Sequence, residues 1–305
     1  MTAFALLLVL IAAALHAVWN YCAKRAGGGL PFVWLVGAVI SIGYLPVLAV
    51  YSSARDIAVS TTDLLWIFGS GILKTSYALF LQRGYRHGEF SLIYPLARGT
   101  GPLLSMLAAV VLLGERPTVL AVAGATIIIA SIFWLTGGWA KLASLLRFTP
   151  GRPPSADDQP HRPAHVLSSV NYGLLSGVFI ASYTIWDRQG VAGLAIAPLV
   201  YDAGTAFTQL ALLTPFAARR WPEVRAEWRT HKRWIFGVAL LSPVAYVLVL
   251  TAMTFTPVSY VAPAREVSIV IGAFIGARFL QETNGSRRML AAAAMALGVI
   301  ALALG

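Results

Sequence analysis

Apolar runs of about 20 residues, the length needed to cross a bilayer as a helix, follow one another through nearly the whole chain. Ten are placed: 2–22, 31–51, 64–83, 90–113, 117–137, 168–187, 195–218, 234–254, 258–280 and 287–304. A backbone surrounded by lipid must satisfy its own hydrogen bonds, so such runs fold as helices. The period-two alternation of an outer-membrane barrel does not appear. Composition agrees: 58 % of the 305 residues are hydrophobic and 11 % are charged, against about 25 % charged in a soluble domain. The fold class expected is an all-α integral membrane protein. The first run has no basic leader, and Lys24-Arg25 follow it where a cleavage site would stand, so it is expected to be a retained helix.

The sequence is written twice. Arg98 precedes Glu115 by 17 residues, and Arg265 precedes Glu282 by the same 17. The offset between copies, 167, also carries Trp19-Asn20 onto Trp186-Asp187, and Gly101, Ser105 and Ala109 onto Ser268, Gly272 and Gly276. A unit with an odd number of spans inserts its second copy upside down. Two inverted copies around a central cavity are a recurring plan for carriers that open alternately to each side. The expected organisation is a first five-helix repeat over 1–137, an interfacial segment and linker over 138–167, and a second five-helix repeat over 168–305. Within the linker, 149–165 is rich in Pro and polar groups. Trp139 to Phe148 and Arg219 to Trp234 mix aromatic and basic residues, a pattern that anchors at the membrane surface.

The formal net charge of +11 would suit a nucleic-acid partner, but its placement follows topology instead. Most Lys and Arg fall in the connections after spans 1, 3, 5, 7 and 9. Arg55, Arg116 and Arg188 are on the other side. The positive-inside rule puts the basic loops in the cytoplasm and both termini outside. No nucleic-acid partner is expected; the lipid bilayer and a small-molecule substrate are. Cys22 is the single cysteine, so no internal disulfide or cysteine metal cluster can form. No Ser-His-Asp order, HExxH, Walker loop or catalytic carboxylate pair is present. No enzyme activity, cofactor or metal is expected.

Arg98 and Arg265 each lie about eight residues into their spans, roughly 12 Å along the axis and close to the midplane. A charge facing lipid at that depth is costly, so both should face protein or a water-filled cavity. Lys74, Asp202, Glu266 and His16 also fall inside spans. Three basic side chains against Asp202 and Glu266 predict a mildly positive cavity, suited to a carboxylate, which an arginine fork matches. Neighbours on one helix point about 100° apart, so Glu266 is expected to pair with Lys74 or Arg98 and not with Arg265. Glu266, Asp202 and His16 are the candidates for proton coupling. Tyr77 and Tyr246, well inside spans 3 and 8, are candidate cavity walls beside Tyr94, Tyr183, Tyr201 and Tyr260. Asn20 is a candidate solute donor. Tyr44, Tyr85, Trp19 and Trp186 read as interfacial anchors. The small-residue stripe Gly101/Ser105/Ala109 and its counterpart Ser268/Gly272/Gly276 predict that spans 4 and 9 cross closely. Pro95 and Pro102 around Arg98, and Pro257 and Pro263 before Arg265, predict breaks in both helices. Ala121/Ala125 and Ala292/Ala296 offer packing on spans 5 and 10, within one subunit or between two copies of a homodimer.

Tyr94-Pro95-Leu96-Ala97-Arg98 through Leu112-Leu113-Gly114-Glu115-Arg116-Pro117 resembles the signature end of the EamA repeat. His16-Ala17-Val18-Trp19-Asn20 followed by Lys24 is similar to its opening. EamA proteins belong to the drug/metabolite transporter superfamily. The resemblance runs over nearly the whole chain as two tandem repeats. It implies a ten-helix basket whose pathway is lined by spans 3, 4, 8 and 9, with spans 5 and 10 at the periphery. Gln281-Glu282-Thr283 departs from the Gly-Glu-Arg of the first copy. Several relatives, aromatic amino-acid exporters among them, have cytoplasmic termini, whereas the charge distribution here points the other way. The function expected is a secondary transporter of the bacterial-type inner membrane. It would export small polar metabolites such as amino acids or related carboxylates by alternating access. The alternatives are a multidrug or toxic-cation exporter, whose cavity would be acidic and aromatic, and an integral-membrane enzyme.

Overall fold

The computed structural model describes residues 1–26, 29–55, 59–87, 90–136, 163–271 and 285–305. Every regular element among them is helical: α1 (Ala3–Ala26), α2 (Leu30–Ala54), α3 (Thr61–His87), α4 (Phe90–Leu113), α5 (Val119–Thr136), α6 (Pro163–Arg188), α7 (Pro198–Ala218), α8 (Trp221–Phe255), α9 (Val258–Arg265) and α10 (Gly285–Leu304). A π-helical turn, Gln189–Gly193, closes α6. Prolines stand in the first turns of α2, α7 and α8, where no helix N–H is needed. Among the described residues, the stretches long and apolar enough to cross a membrane are Ala3–Ala26, Leu30–Ala54, Thr61–Leu81, Leu96–Leu113 and Trp221–Phe255; Val119–Trp134 and Ala293–Leu304 are shorter apolar helices. The remaining long helices, α6 and α7, are less apolar because they carry Asp187, Asp202 and a row of hydroxyl side chains.

Helix packing relates the two halves. α1 lies on α8 as α3 lies on α6; α2 on α8 as α3 on α7; α4 on α6 as α1 on α9. The pairs α2–α7, α4–α9 and α5–α10 join equivalent helices of the two halves. Exchanging α1–α5 with α6–α10 thus maps this packing scheme onto itself, and each half buries its helices largely against the other. The two ends of the chain meet, with the Met1 amino group donating to Ala303 O at 3.3 Å. Ala121 and Ala125 are buried in the same subunit's core, where α5 crosses α10.

Two local features differ from what the sequence suggested. α6 starts at Pro163, inside the expected linker. The basic aromatic stretch before span 8 is continuous with it: α8 runs from Trp221, broken at His231 (φ −120°, ψ 15°). The first piece exposes Trp221 and Trp228. α9 stops at Arg265. Pro263 withholds an N–H from the ladder, Glu266 turns back to Pro263 O at 3.0 Å, and helix resumes over 267–271. α4 packs on α9 and also closely on α6. Ile180 of α6 fills the space beside Gly101, and a Cβ on Gly177 of α6 would strike Thr100. The tight approach at that level of α4 is therefore to α6, because glycine occurs on both helices there. Ser105 spends its hydroxyl on Gly101 O of its own helix at 2.8 Å, and Ala109 is buried in the core. Gly272 and Gly276 lie outside the described residues, as does 139–148.

Candidate functional site

Buried charge gathers in two clusters, one around the arginines and one around two aspartates. In the first, α4 supplies Arg98 and the broken end of α9 supplies Arg265 and Glu266. Arg98 Nη2 lies 2.9 Å from Glu266 Oε2 and donates to Ser268 Oγ at 3.3 Å. Glu266 does approach its neighbour: Arg265 Nε is 3.9 Å from Oε1. The close partner of Glu266 is thus Arg98 across the bundle, as the divergence of adjacent residues suggested, and Arg265 stands at the limit of an ion pair. The Arg265 side chain is 7 % exposed, yet its Nε has no hydrogen-bond partner. His16 of α1 is within electrostatic range of both arginines, and Tyr183 and Tyr246 are within range of Arg265. His16 and Tyr183 are themselves 167 residues apart, so equivalent positions of α1 and α6 face the arginine cluster.

The second cluster centres on Asp187 of α6, which is 0 % exposed. Its Oδ1 accepts Ser70 Oγ at 2.5 Å and Tyr201 OH at 3.0 Å. Its Oδ2 accepts the Tyr246 hydroxyl and lies 3.2 Å from Lys74 Nζ. Lys74 also reaches Thr205 Oγ1 at 3.3 Å and rests 4.2 Å from the centroid of the Tyr246 ring. Asp202 of α7 accepts the Tyr44 hydroxyl at 2.5 Å and is within electrostatic range of Lys74. Tyr246 joins the two clusters, bonded to Asp187 and within range of Arg265.

Asp187 is the residue that sequence reasoning missed. The signal was available in the offset that pairs it with Asn20. With Asp187 counted, Lys74, Arg98 and Arg265 are balanced by Asp187, Asp202 and Glu266, so the expected positive excess disappears. Lys74 pairs with Asp187, not with Glu266. Asn20 is exposed and donates to His16 O of its own helix at 2.8 Å, apart from both clusters. Tyr77 is half-buried against Tyr183, ring centroids 5.9 Å apart. Tyr44 is no belt residue; it is buried by its bond to Asp202. Trp186 gives its indole N–H to Trp66 O at 2.8 Å and lies against the Trp66 ring, so its polar edge is spent inside the protein. Trp19 packs its ring on His16. Tyr260 bonds to Gly305 O at 3.3 Å; the Tyr85 and Tyr94 side chains lie outside the description.

Glu115 has a second role that the repeat pattern did not reveal. Gly114, at φ +67°, ends α4 in the left-handed conformation that glycine adopts freely, and Glu115 N returns to Ala109 O at 3.1 Å. The Glu115 carboxylate then accepts Val258 N at 2.8 Å and Ser259 N at 2.9 Å. It thus caps the helix that leads to Arg265. A separate cleft of about 570 Å³ opens between α2, α3 and α7. Leu48, Leu64, Phe68 and Phe207 line it with other apolar groups and no charged side chain. It suits hydrocarbon more than a polar solute.

Residues 3–137 and, again, 167–304 match the EamA-like transporter family. The chain belongs to this family. It is accordingly a multi-pass membrane transporter of the drug/metabolite superfamily. Among solved structures, 29 chains match. One crystal structure superposes with a TM-score of 0.72 at 18 % identity, covering 100 % of this chain and 98 % of the other. At that identity the likeness is one of fold. No curated protein sequence matches.

Proposed function

We propose that this EamA-family protein is a secondary transporter for small polar metabolites bearing a carboxylate, such as amino acids. In this reading it has ten spans in two oppositely inserted halves and works by alternating access in a cytoplasmic membrane, with the basic loops inside. The observation that carries the substrate class is Arg265. Its guanidinium is buried near the break of α9, its nearest carboxylate contact is 3.9 Å, and its Nε is unbonded. A buried polar group normally has a partner, and a guanidinium fork is shaped for a carboxylate. Asp202, whose carboxylate accepts the Tyr44 hydroxyl, offers a negative pole for an ammonium group on the same solute.

The test is thermal stabilisation of the purified protein by a panel of amino acids, their 2-oxo analogues and organic amines, since a ligand of the folded state alone raises its melting temperature. Amino acids or oxo acids should stabilise the wild type, and Arg265→Ala should remove the shift. Stabilisation by amines alone, retained in Arg265→Ala, would overturn the reading in favour of a cation exporter. Export is the direction we assign; inside-out vesicles should accumulate the stabilising compound.

A further inference from the structure

Lys74 is paired with the buried Asp187 and is within electrostatic range of a second buried carboxylate, Asp202. Lys74 reaches Asp187 from α3: Nζ is 3.2 Å from Asp187 Oδ2 and 3.3 Å from Thr205 Oγ1. The Thr205 hydroxyl in turn donates to the Asp202 backbone carbonyl at 2.9 Å, while the Asp202 carboxylate accepts the Tyr44 hydroxyl. The Tyr246 ring lies 4.2 Å below the ammonium and the Tyr201 ring 5.9 Å away. A carboxylate, a hydroxyl oxygen and an aromatic face are the surroundings that bind a free organic cation. Here the cation arrives on a four-carbon tether. Without it the interior would hold two acids and no base on this side, and buried charge of one sign draws a counter-ion.

We propose that Lys74 is a resident counter-cation. It occupies a monovalent-cation site built by Asp187, Thr205 and Tyr246, so the native carrier takes up no sodium, potassium or other co-ion there. The proposal rests on the chain being a carrier, but its test needs no transported substrate. A failure of the Arg265 reading therefore leaves it standing, and the reverse holds too.

The experiment is the melting temperature of the full-length purified protein in chloride salts of sodium, potassium, methylammonium and choline at equal ionic strength. Choline, too bulky for the pocket of one lysine ammonium, sets the baseline. Wild type and Lys74→Arg should melt alike in all four. Lys74→Ala should gain a saturable rise of about 3 °C in methylammonium over choline, and Lys74→Ala combined with Asp187→Asn should lose that rise. Lys74→Ala that melts identically in all four salts overturns the proposal. So does a wild type that responds as strongly as the variant, or a Lys74→Ala protein that is unfolded in choline and not rescued by methylammonium.

Discussion

Arg98 and Arg265 occupy equivalent places in the two halves, yet they stand in different circumstances. Arg98 is held by Glu266 at 2.9 Å and by Ser268, both from the other half. Arg265 has Glu266 only at 3.9 Å. The difference traces to one position. Where the second half carries Glu266, the same offset in the first half gives Gly99, with the Phe133 ring packed on it. One carboxylate serves two arginines and sits closer to the one across the interface. Duplication thus supplies two matching cations, and a single unmatched substitution puts a carboxylate in bonding distance of one, across the halves, and 3.9 Å from the other.

That contrast can be broken most forcefully at Arg98. Arg98→Ala leaves Glu266 buried with only a distant cation, and breaking such a pair costs about 3–5 kcal/mol. The loss should be read as a lower melting temperature in detergent and largely relieved by adding Glu266→Gln. An Arg98→Ala protein as stable as wild type would erase the distinction. Arg265→Ala should do the opposite. Its melting temperature stays near wild type while affinity for a carboxylate ligand falls about 100-fold, roughly 2.7 kcal/mol, and Arg265→Lys recovers only part of it. Titration by calorimetry would check this. Glu115→Ala frees the two N–H groups at the start of α9 and should cost about 1–2 kcal/mol of stability, with Glu115→Gln intermediate. Tyr44→Phe removes the donor to Asp202 and should cost about 1 kcal/mol, visible as a shifted denaturant midpoint.

Helix order, the doubled plan and the presence of charge inside the spans were legible because lipid imposes them on composition. What escaped lay in helix-to-helix contact. Asp187 closes an apolar run, and hydropathy therefore set it at a membrane edge; the cover given by α3, α7 and α8 leaves it without exposure. Tyr44 has the composition of a belt residue and becomes a buried donor only because α2 lies on α7. The small-residue stripe on α4 gave no sign that glycines on α6 would bring that helix close as well.

The Glu115 carboxylate comes from one half and the two amides it receives come from the other. Any rocking that parts α9 from the end of α4 must strip an anion of its donors and bare two N–H groups in a single movement. Water is the natural replacement for all of them at once, so wetting of this seam and its opening become the same event.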